Sequence, residues 1–486
     1  MSRYSKHELT LMHLTMVISF FMFSTRNASA QTAPVSPDHP WHTSAERSVE
    51  ADAPQIPDSK FAINPVKTYS LSELIDLAET HNPATREAWE RACAQAASLG
   101  VTRAALFPTL AAIAVSETSR QQAFFGNRFY GQEAQDFQVE LDLNYTLFDF
   151  GARTGRINDA RARLLEANFA FNDTHRQLIY QVQEAYFRLL SSMGQEDAAQ
   201  ASLSNAQAVQ QAAEDRLAHG LATLPDVLEA RSATAQAEYD LQAILGTEEI
   251  ARGDLATAVG TSATAVIHVQ PLDQVPTPDS IGDTVDEAID RALRQRPDLM
   301  QQVAKIRSAT ARVKEAKAAY YPTLSLNAST ATPLIYGLQS PYPWAHTADL
   351  VGALDFNLQW TVFDGGVRKK GLAQAQADAH AAEAQVKVAR IQIADEVWAA
   401  YSNLNTAFRQ REAALALLQA SVESYSAALE SYKYGVRNLL DVTAAQRTLA
   451  QARTADILAQ AQVLTAFAEL AFRTGDSIRS NGGTQP

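Results

Sequence analysis

The stretch that decides the fold is Leu143–Arg153, with the sequence Leu-Asn-Tyr-Thr-Leu-Phe-Asp-Phe-Gly-Ala-Arg. Upstream, apolar and polar residues alternate from Phe137 to Leu147, which is the period of a strand with one apolar face and one wet face. Downstream, the chain has no proline from Ala152 to Ala218 and is rich in Ala, Gln, Glu, Arg and Leu, so a long helix is predicted. The stretch therefore joins a strand to a helix.

This strand-to-helix unit occurs twice in the chain. It recurs as Leu358–Arg368, with the sequence Leu-Gln-Trp-Thr-Val-Phe-Asp-Gly-Gly-Val-Arg, 215 residues after the first copy. A single internal repeat of this length, preserved in order and spacing, predicts a duplicated architecture. Two prolines and one glycine of the first copy have counterparts at offsets of 214 or 215: Pro83 and Pro297, Pro108 and Pro322, Gly220 and Gly435.

The chain begins with a predicted signal peptide. Arg3 and Lys6 precede an apolar run, and Ala28-Ser29-Ala30 is a small-residue cleavage site. The segments predicted from the sequence are a signal peptide (1–30), a Pro-rich extended segment (31–67), a first structural repeat (68–260), a linker (261–283), a second structural repeat (284–475) and a flexible C-terminal tail (476–486).

Each repeat is predicted to contain a helix, two strands and a pair of long helices. Proline ends the helix before the strands, because it cannot continue the helical hydrogen-bond ladder. Gly220 and Gly435 are predicted to end the first long helix of each pair. The sequence places the strands at about 109–116, 135–149, 323–329 and 350–363, and the long helices at about 152–218, 226–258, 367–434 and 438–473.

Composition disfavours several classes of protein. With 54 acidic and 41 basic residues the chain has a net charge of −13, which disfavours nucleic-acid binding. The only cysteine, Cys93, excludes an internal disulfide and is expected in a helix core. No stretch after residue 30 is expected to form a membrane helix. No catalytic, metal-binding or cofactor-binding motif is present, so no enzyme activity, metal or cofactor is expected.

Four alternating strands raise the question of how their edges are satisfied. A sheet in lipid must close, because unpaired edge N–H and C=O groups each cost several kcal/mol there. Four strands are too few to close, since bacterial barrels begin at about 8 strands. If the strands lie in lipid, several copies of the chain must therefore share one barrel. A soluble hairpin packed on the helices is the alternative that the same pattern leaves open.

With these features the chain resembles the TolC family of outer-membrane efflux and secretion channels over nearly all of residues 68–475. The resemblance implies a mainly α fold with a four-stranded β contribution, in which long coiled-coil helical hairpins form a periplasmic tunnel. It also implies a homotrimer whose chains share one transmembrane barrel of twelve strands in the outer membrane. The elements that carry the resemblance are Phe148–Gly151, Phe363–Gly366 and the turn motifs at 216–227 and 432–442.

The resemblance further implies a gate at the periplasmic tip. Asp226 on the first hairpin is expected to pair with Arg437 and Tyr432 on the second. Asp441 is expected to face the lumen, so a trimer would carry a ring of carboxylates that attracts cations. Where the family has a second aspartate one turn later, this chain has Ala444, so the inner ring lacks its carboxylate. From the residues alone, Asp226 also fits a solvated acid in a first helical turn.

The expected partners follow from the same resemblance. The turns Gly220-Leu221 and Gly435-Val436 are the expected docking points for a periplasmic adaptor protein. Because the chain has no visible energy source, work must come from an inner-membrane transporter of the RND or ABC class. The remaining partners are two further copies of the chain and the lipid of the outer membrane.

The leading prediction is the passive exit duct of a tripartite efflux pump for drugs and small molecules. One alternative is the same duct in a type I protein secretion system, which the tube itself would not distinguish. An alternative of another class is a pore-less periplasmic coiled-coil adaptor or structural protein. The strands separate this last alternative from the others, because an adaptor has no lipid-facing strands.

Overall fold

The computed structural model describes residues 63–276, 284–339 and 345–476, together with a few isolated positions. The chain divides into two units, residues 1–59 and 60–486, and the architecture below belongs to the second. The predicted signal peptide, most of the Pro-rich segment and the tail after residue 476 lie outside the described residues.

Helices make up most of the described chain. Two of them have 67 residues each, so each is about 100 Å long at 1.5 Å per residue. The first of these spans Ala152–Ala218, the same residues that the sequence predicts. The helices are α1 (Leu71–His81), α2 (Pro83–Ala104), α3 (Ala152–Ala218), α4 (Leu224–Val259), α5 (Val285–Gln295), α6 (Pro297–Ala318), α7 (Val367–Lys433) and α8 (Leu439–Thr474).

Six helices of this unit pack side by side in one layer, and the short helices α1 and α5 pack against it, α1 on α3 and α4, and α5 on α7 and α8. Next to the strands the contacts give the order α2–α3–α6–α7, and towards the hairpin turns they give α4–α3–α8–α7. The long helices α3 and α7 thus run the length of the layer, and each packs against shorter helices along its length. Helix α3 has neighbours on both sides, whereas α2, α4 and α7 stand at the edges of the layer.

The strands form one antiparallel sheet with the same lateral order as the helices. β2 (Thr109–Phe125) pairs with β3 (Arg128–Phe148), β3 with β5 (Thr323–Gln339), and β5 with β7 (Val351–Gln359) and with the short β6 (Ala345–Thr347). The order β2–β3–β5–β7 follows α2–α3–α6–α7, because each strand continues directly from one of these helices or into it. β2 and β7 are therefore the edges of the sheet.

The observed strands correct the predicted bounds. β2 continues nine residues beyond the predicted end at Ser116, β3 begins at Arg128 rather than at residue 135, and β5 continues to Gln339 rather than ending at residue 329. The polar sequence after Ser116 lacks alternation and resembles a loop, yet its backbone pairs with β3 up to the turn at Gly126. β7 ends at Gln359 rather than at residue 363, because its last partner is Thr323, the first residue of β5.

The strand-to-helix units have the same geometry in both repeats. The Asp149 carboxylate accepts hydrogen bonds from the backbone N–H of Gly151 (3.2 Å) and Arg153 (2.8 Å) and from Arg153 Nε (3.0 Å). Asp364 accepts the equivalent bonds from Gly366 and Arg368 at 2.9, 3.0 and 2.6 Å. The glycines have φ values of 94° and 92°, a left-handed conformation that glycine adopts without a Cβ penalty. The turn therefore needs the Asp-x-Gly-x-Arg spacing.

The predicted linker contains packed structure, which corrects its description. Within residues 261–283, β4 (His268–Val269) pairs in parallel with β1 (Thr68–Tyr69). Ile267, Val269 and Leu272 are buried in the largest apolar cluster, which also holds residues of α1, α3 and α4. The prolines of this segment indicate a linker, but the apolar residues between them are buried and hold the segment against the helices.

The expectation for Cys93 is wrong, and the expectation that no later stretch is long and apolar enough for a membrane helix is wrong as to length and composition. Cys93 is exposed, because the outer face of α2 has no partner among the residues that the structure describes. Helix α8 is long and apolar enough to cross a membrane, and it is the only such helix in the described part of the chain. Its residues Val463, Leu464 and Ala468 are buried against neighbouring helices of the same layer. Its apolar composition thus has an explanation in packing.

The exposure of the sheet is inverted relative to that of a water-soluble hairpin. On β3 the apolar side chains of Phe137, Val139 and Leu141 are 51%, 48% and 44% exposed. The polar residues that alternate with them are half-buried. On β7, Phe356 and Leu358 are each 66% exposed. The apolar face of the sheet is therefore not covered by the helices of its own chain.

Candidate functional site

The two hairpin turns at the far end of the helical layer are built alike. The N–H of Leu221 donates to the Arg216 carbonyl (2.8 Å), and the N–H of Gly220 donates to the Leu217 carbonyl (2.9 Å). The second turn repeats this with Val436 and Gly435 on the carbonyls of residues 431 and 432. These are Schellman motifs, in which a glycine with positive φ satisfies the last carbonyls of a helix. Gly220 and Gly435 have φ values of 69° and 78°.

Asp226 caps the helix that returns from the first turn. Its carboxylate accepts hydrogen bonds from the backbone N–H (2.8 Å) and from the hydroxyl (2.7 Å) of Thr223, which completes a capping box. These bonds, the backbone bond most of all, lower the pKa of Asp226. Asp226 is thus ionised and held in the first turn of α4.

Arg216 connects the two hairpins within one chain. Its Nη1 donates to the carbonyls of Tyr432 (2.9 Å) and Lys433 (3.4 Å), and its Nη2 donates to the carbonyl of Leu221 (3.3 Å). The guanidinium also lies over the Tyr432 ring, 4.8 Å from its centroid. The Tyr432 carbonyl also accepts the Gly435 N–H, so Arg216 adds a charged donor at the end of α7 and complements the helix dipole there.

The expected intrachain pairing of Asp226 with Arg437 and Tyr432 is not observed. Asp226 is bonded to Thr223, and Arg437 is exposed without an ion pair to any residue that the structure describes. Tyr432 is 4% exposed, and its hydroxyl has no hydrogen-bond partner among those residues. Within one chain, Thr223 takes up the Asp226 carboxylate, and Arg216 is the side chain that lies beside Tyr432.

Asp441 occupies the first turn of α8. Its backbone N–H donates to the side-chain oxygen of Asn438 (2.9 Å), which caps this helix. The Asp441 residue is exposed, and so is the position of Ala444 one turn later. Asp441 therefore lies at the same end of the molecule as Asp226, as the spacing of the repeat requires.

Arg216 is the contact between the hairpins that the sequence analysis did not select. It begins the first turn motif, but its counterpart 215 residues later is Ser431. The difference between Arg216 and Ser431 at equivalent positions of the repeat was the feature of the sequence that could have identified Arg216. A side chain that acts between the two halves has no reason to be repeated in both.

An apolar cluster supports the same end of the molecule. Residues from all four helices that meet at the turns contribute to it, so both hairpins share one core. At the turns themselves, Leu221 and Val436 are 66% and 79% exposed. Exposed apolar side chains on tight turns are available to a partner. The buried members of the cluster are Val209, Ala213, Val227, Ala230, Tyr425, Ala428, Tyr432, Leu439, Val442 and Leu449.

The described residues were also compared with the pattern of a metal site. Across residues 63–276, 284–339 and 345–476, no three His, Cys, Asp or Glu side chains are grouped as metal ligands. The chemistry that this end of the molecule offers is mechanical and electrostatic. It consists of hydrogen bonds between hairpins, an ionised Asp226 and exposed apolar turns.

Comparison with known proteins gives consistent matches. The family model described as outer membrane efflux protein matches residues 74–261 and 288–476. Protein CyaE of Bordetella pertussis is 28% identical over 412 residues, 85% of each chain. Outer membrane protein OprJ of Pseudomonas aeruginosa is 26% identical over 394 residues, 78% of each chain. Pyoverdine export outer membrane protein OpmQ of the same species is 27% identical over 244 residues, about half of each chain.

Solved structures match as well. The outer-membrane channel OprN superposes with a TM-score of 0.73 at 21% identity, over 92% of this chain and 99% of that one. This likeness shows that the two chains share one fold. The two separate matches of the family model also fall on the two halves that carry the internal repeat.

Proposed function

The chain belongs to the outer membrane efflux protein family, and on this premise we propose that it is the exit duct of a tripartite efflux pump. In this proposal three copies share one barrel of twelve strands in the outer membrane, and their helices form a tunnel across the periplasm. The duct is passive. A periplasmic adaptor and an inner-membrane transporter of the RND or ABC class supply recognition and energy.

The observation that carries the proposal is a sheet with two open edges and an uncovered apolar face. β2 and β7 each pair with the sheet on one side only, so their outer N–H and C=O groups need partners. In lipid no water can provide them. Further copies of the chain provide such partners, since β2 of one copy and the β7 of the next run antiparallel. Residues such as Phe356 then face lipid.

The helical layer supports the same assembly. Its edge helices carry exposed apolar side chains, among them Tyr239 (71%) and Ile250 (67%) on α4 and Ile391 (72%) and Trp398 (55%) on α7. Apolar side chains at both edges of a layer indicate contact with a neighbour. Since the lateral order of helices and strands is the same, one rotation closes both the barrel and the tunnel.

The strand lengths fit a barrel that extends beyond the membrane. A tilted membrane strand needs about 9–11 residues. β7 has 9 residues, whereas β2, β3 and β5 have 17, 21 and 17. The excess lies at the end away from the helices and is placed outside the cell by the proposal.

The tip residues are proposed as a gate that closes between chains. Arg437 is exposed and free of ion pairs within the described residues, so it is available to Asp226 of a neighbouring copy. Asp441 contributes to a ring of carboxylates. Exposed ion pairs of this kind contribute only about 0–1 kcal/mol each, which suits a closure that a partner must undo.

The gate is tested by resting conductance in planar bilayers. Asp226→Ala and Arg437→Ser are each expected to raise it, because each removes one partner of the proposed pair. Arg390→Ser is the control, since Arg390 is an exposed arginine on α7 far from the turns. Conductance equal to that of the wild type in both gate variants would remove these residues from the gate.

The turns are proposed as the docking points of the adaptor. Leu221 and Val436 expose apolar side chains at the end of each hairpin, where a partner in the periplasm can reach them. A photo-cross-linker at either position is expected to capture a co-expressed adaptor. Capture only from positions in the middle of α7 would contradict docking at the tip.

The proposed cargo is a small molecule. The family description names efflux, and the relative OpmQ is named for the export of pyoverdine. Deletion of the gene is expected to raise the accumulation of a fluorescent dye in intact cells. Unchanged accumulation together with loss of an extracellular protein would assign the duct to protein secretion instead.

The experiment that tests the whole proposal is single-channel recording of the purified protein, with its mass in detergent. A mass of three chains and discrete conductance steps are expected. Extraction without detergent as a monomer, with no conductance, would instead support the pore-less periplasmic alternative.

A further inference from the structure

Five basic side chains lie on the helix ends next to the sheet. They are Arg103 near the end of α2, Lys314 and Lys317 near the end of α6, and Lys369 and Lys370 in the first turn of α7. All five are exposed. Within the described residues none of them forms an ion pair. We call these five residues the basic collar.

The helix dipole explains only part of the collar. Arg103 and Lys317 lie in the last turns of their helices, where a cation is favourable. Lys369 and Lys370 lie at the opposite end of a helix, where a cation is unfavourable. The acid at this helix end, Asp364, pairs with Arg368, and residues 365–377 contain no further acid to offset the two lysines. An anion from outside the chain would offset them.

Exposed apolar residues place the collar at the border of the membrane. Phe107 follows Arg103 by four residues and is 69% exposed, and Tyr321 follows Lys317 by four residues and is 54% exposed. After each helix the N–H of the aromatic residue donates to the carbonyl three residues earlier, from Phe107 to Ala104 and from Tyr321 to Ala318, so the chain makes one further turn towards the sheet. Each cation thus lies one turn below an aromatic residue, on the side away from the sheet. Aromatic rings of this kind sit at the level of lipid headgroups.

The two halves of the chain repeat this arrangement. Arg103 and Lys317 are counterparts at the offset of 214, as are Phe107 and Tyr321. Their side chains differ, but the pairing of a cation with an aromatic residue is kept. Around a closed trimer the cations would therefore recur at one level.

We propose that the basic collar binds the phosphate groups of anionic phospholipids in the inner leaflet of the outer membrane. The inference rests on the proposed function, because it needs the sheet to lie in that membrane. Lysines near an anionic lipid surface are attracted to it by an amount equivalent to about five-fold in affinity per residue. The collar would fix the depth of the barrel and orient the tunnel below it.

A second copy of the chain is the competing partner for these cations, because the chain is acidic overall. In that case the collar would hold the trimer together rather than bind lipid. The two partners predict different losses when the lysines are neutralised. If lipid is the partner, neutralisation weakens the binding of lipid, and if a second copy is the partner, it weakens the trimer.

The test compares lipid binding by native mass spectrometry of the detergent-purified protein. The probes are phosphatidylglycerol, which is anionic, and phosphatidylcholine, which carries a phosphate but no net charge. The variant Lys369→Gln/Lys370→Gln removes two cations of the collar. The matched control, Lys387→Gln/Arg390→Gln, removes two exposed cations from the same helix, about 26 Å further along it.

The wild type and the control are expected to prefer phosphatidylglycerol, and the collar variant is expected to lose about 20-fold of that preference. Equal binding of the two lipids by the wild type would overturn the inference. So would a collar variant that keeps the full preference, or one that only loses its trimeric mass. Discrete conductance without any lipid preference would overturn only the proposal that the basic collar binds lipid. Absence of both conductance and a trimer would overturn the proposed function.

Discussion

Arg216 shows how one side chain can connect two helical hairpins. It bonds carbonyls of both turns and covers the ring of Tyr432, whose hydroxyl is buried without a partner in the described part of the chain. Hydrogen bonds from a charged donor contribute about 1.5–3 kcal/mol each when they are not fully exposed. Separating the hairpins breaks several of them at once, so Arg216 resists opening within each chain.

Arg216→Ala is expected to raise resting conductance about tenfold, because it leaves the last carbonyls of α7 without this partner. Arg447→Ala is the matched control, since Arg447 also joins the hairpins, through Glu229 at 3.4 Å, but in an exposed pair. The measurement is open probability in planar bilayers. If the two variants open equally, Arg216 has no special part in holding the hairpins together.

A second residue-scale feature is a pair of glutamates that share a proton. A hydrogen bond between the carboxyl groups of Glu196 on α3 and Glu248 on α4 raises the pKa of Glu196 to about 7. Burial acts to raise the pKa of Glu248, but hydrogen bonds from Glu196 and Arg252 outweigh it and lower that pKa. Because the pKa of Glu196 is raised and that of Glu248 is lowered, the proton resides on Glu196 below about pH 7.

The pair predicts a loss of stability as pH rises. Between the ordinary value of 4.5 and about 7, the folded chain keeps a proton that the unfolded chain releases, so stability falls with increasing pH in this window. After allowance for solvent screening the expected loss from pH 5 to pH 8 is about 1 kcal/mol.

Glu196→Gln should abolish this part of the pH dependence, because the amide resembles the protonated acid. Glu238→Gln, an exposed glutamate on α4, should keep it. Thermal unfolding followed by circular dichroism at both pH values measures the difference. If the stability of the wild type changes from pH 5 to pH 8 by the same amount as that of Glu196→Gln, the assignment is refuted.

At the scale of elements, the strand-to-helix turns fix how the sheet continues into the helices. The buried Asp149 carboxylate satisfies two backbone donors at the start of α3 and pairs with Arg153. Arg153 also donates to the carbonyls of Ala105 and Leu147, at the ends of the neighbouring elements. The turn thus positions α2, β3 and α3 relative to one another.

Asp149→Ala is expected to destabilise the protein by about 2 kcal/mol, because it leaves buried donors unsatisfied. Asp378→Ala, an exposed aspartate on α7 with no ion pair among the described residues, should have an effect below about 0.5 kcal/mol. Heat stability of the assembled protein on a gel compares the two. Equal stabilities would mean that the Asp-x-Gly-x-Arg spacing does not fix the turn.

Elements differ in how far the sequence predicts them. The helix over Ala152–Ala218 was predictable because Gly151 and Gly220 flank it and its interior contains no proline, only the isolated Gly155 and Gly194. The ends of β2 and β3 were not predictable, because strand patterns report which face is apolar and both faces are polar beyond Ser116. The backbone of β2 still pairs with β3 there, although the side-chain pattern does not show it.

At the scale of the whole molecule, the second unit is one layer with two open edges. The sheet and the helices share their lateral order, so the internal repeat gives two similar halves side by side. The turns of the tip were predictable from their glycines, whereas the contact of Arg216 was not, because it crosses between halves and breaks the repeat. The position of a neighbouring copy likewise cannot be predicted from alternation in a strand, because alternation reports only which face is apolar.

The most direct test of the central claim is disulfide cross-linking between the edge strands. In a Cys93→Ser background, one cysteine replaces Ala111 on β2 and a second is moved along β7, Val351–Gln359. Within one chain these strands are separated by β3 and β5, about 14 Å in all, which a disulfide cannot span. Oxidation should therefore give a covalent trimer at one register, and single cysteines should not. Monomer at every position of the scan would contradict a barrel shared by three chains.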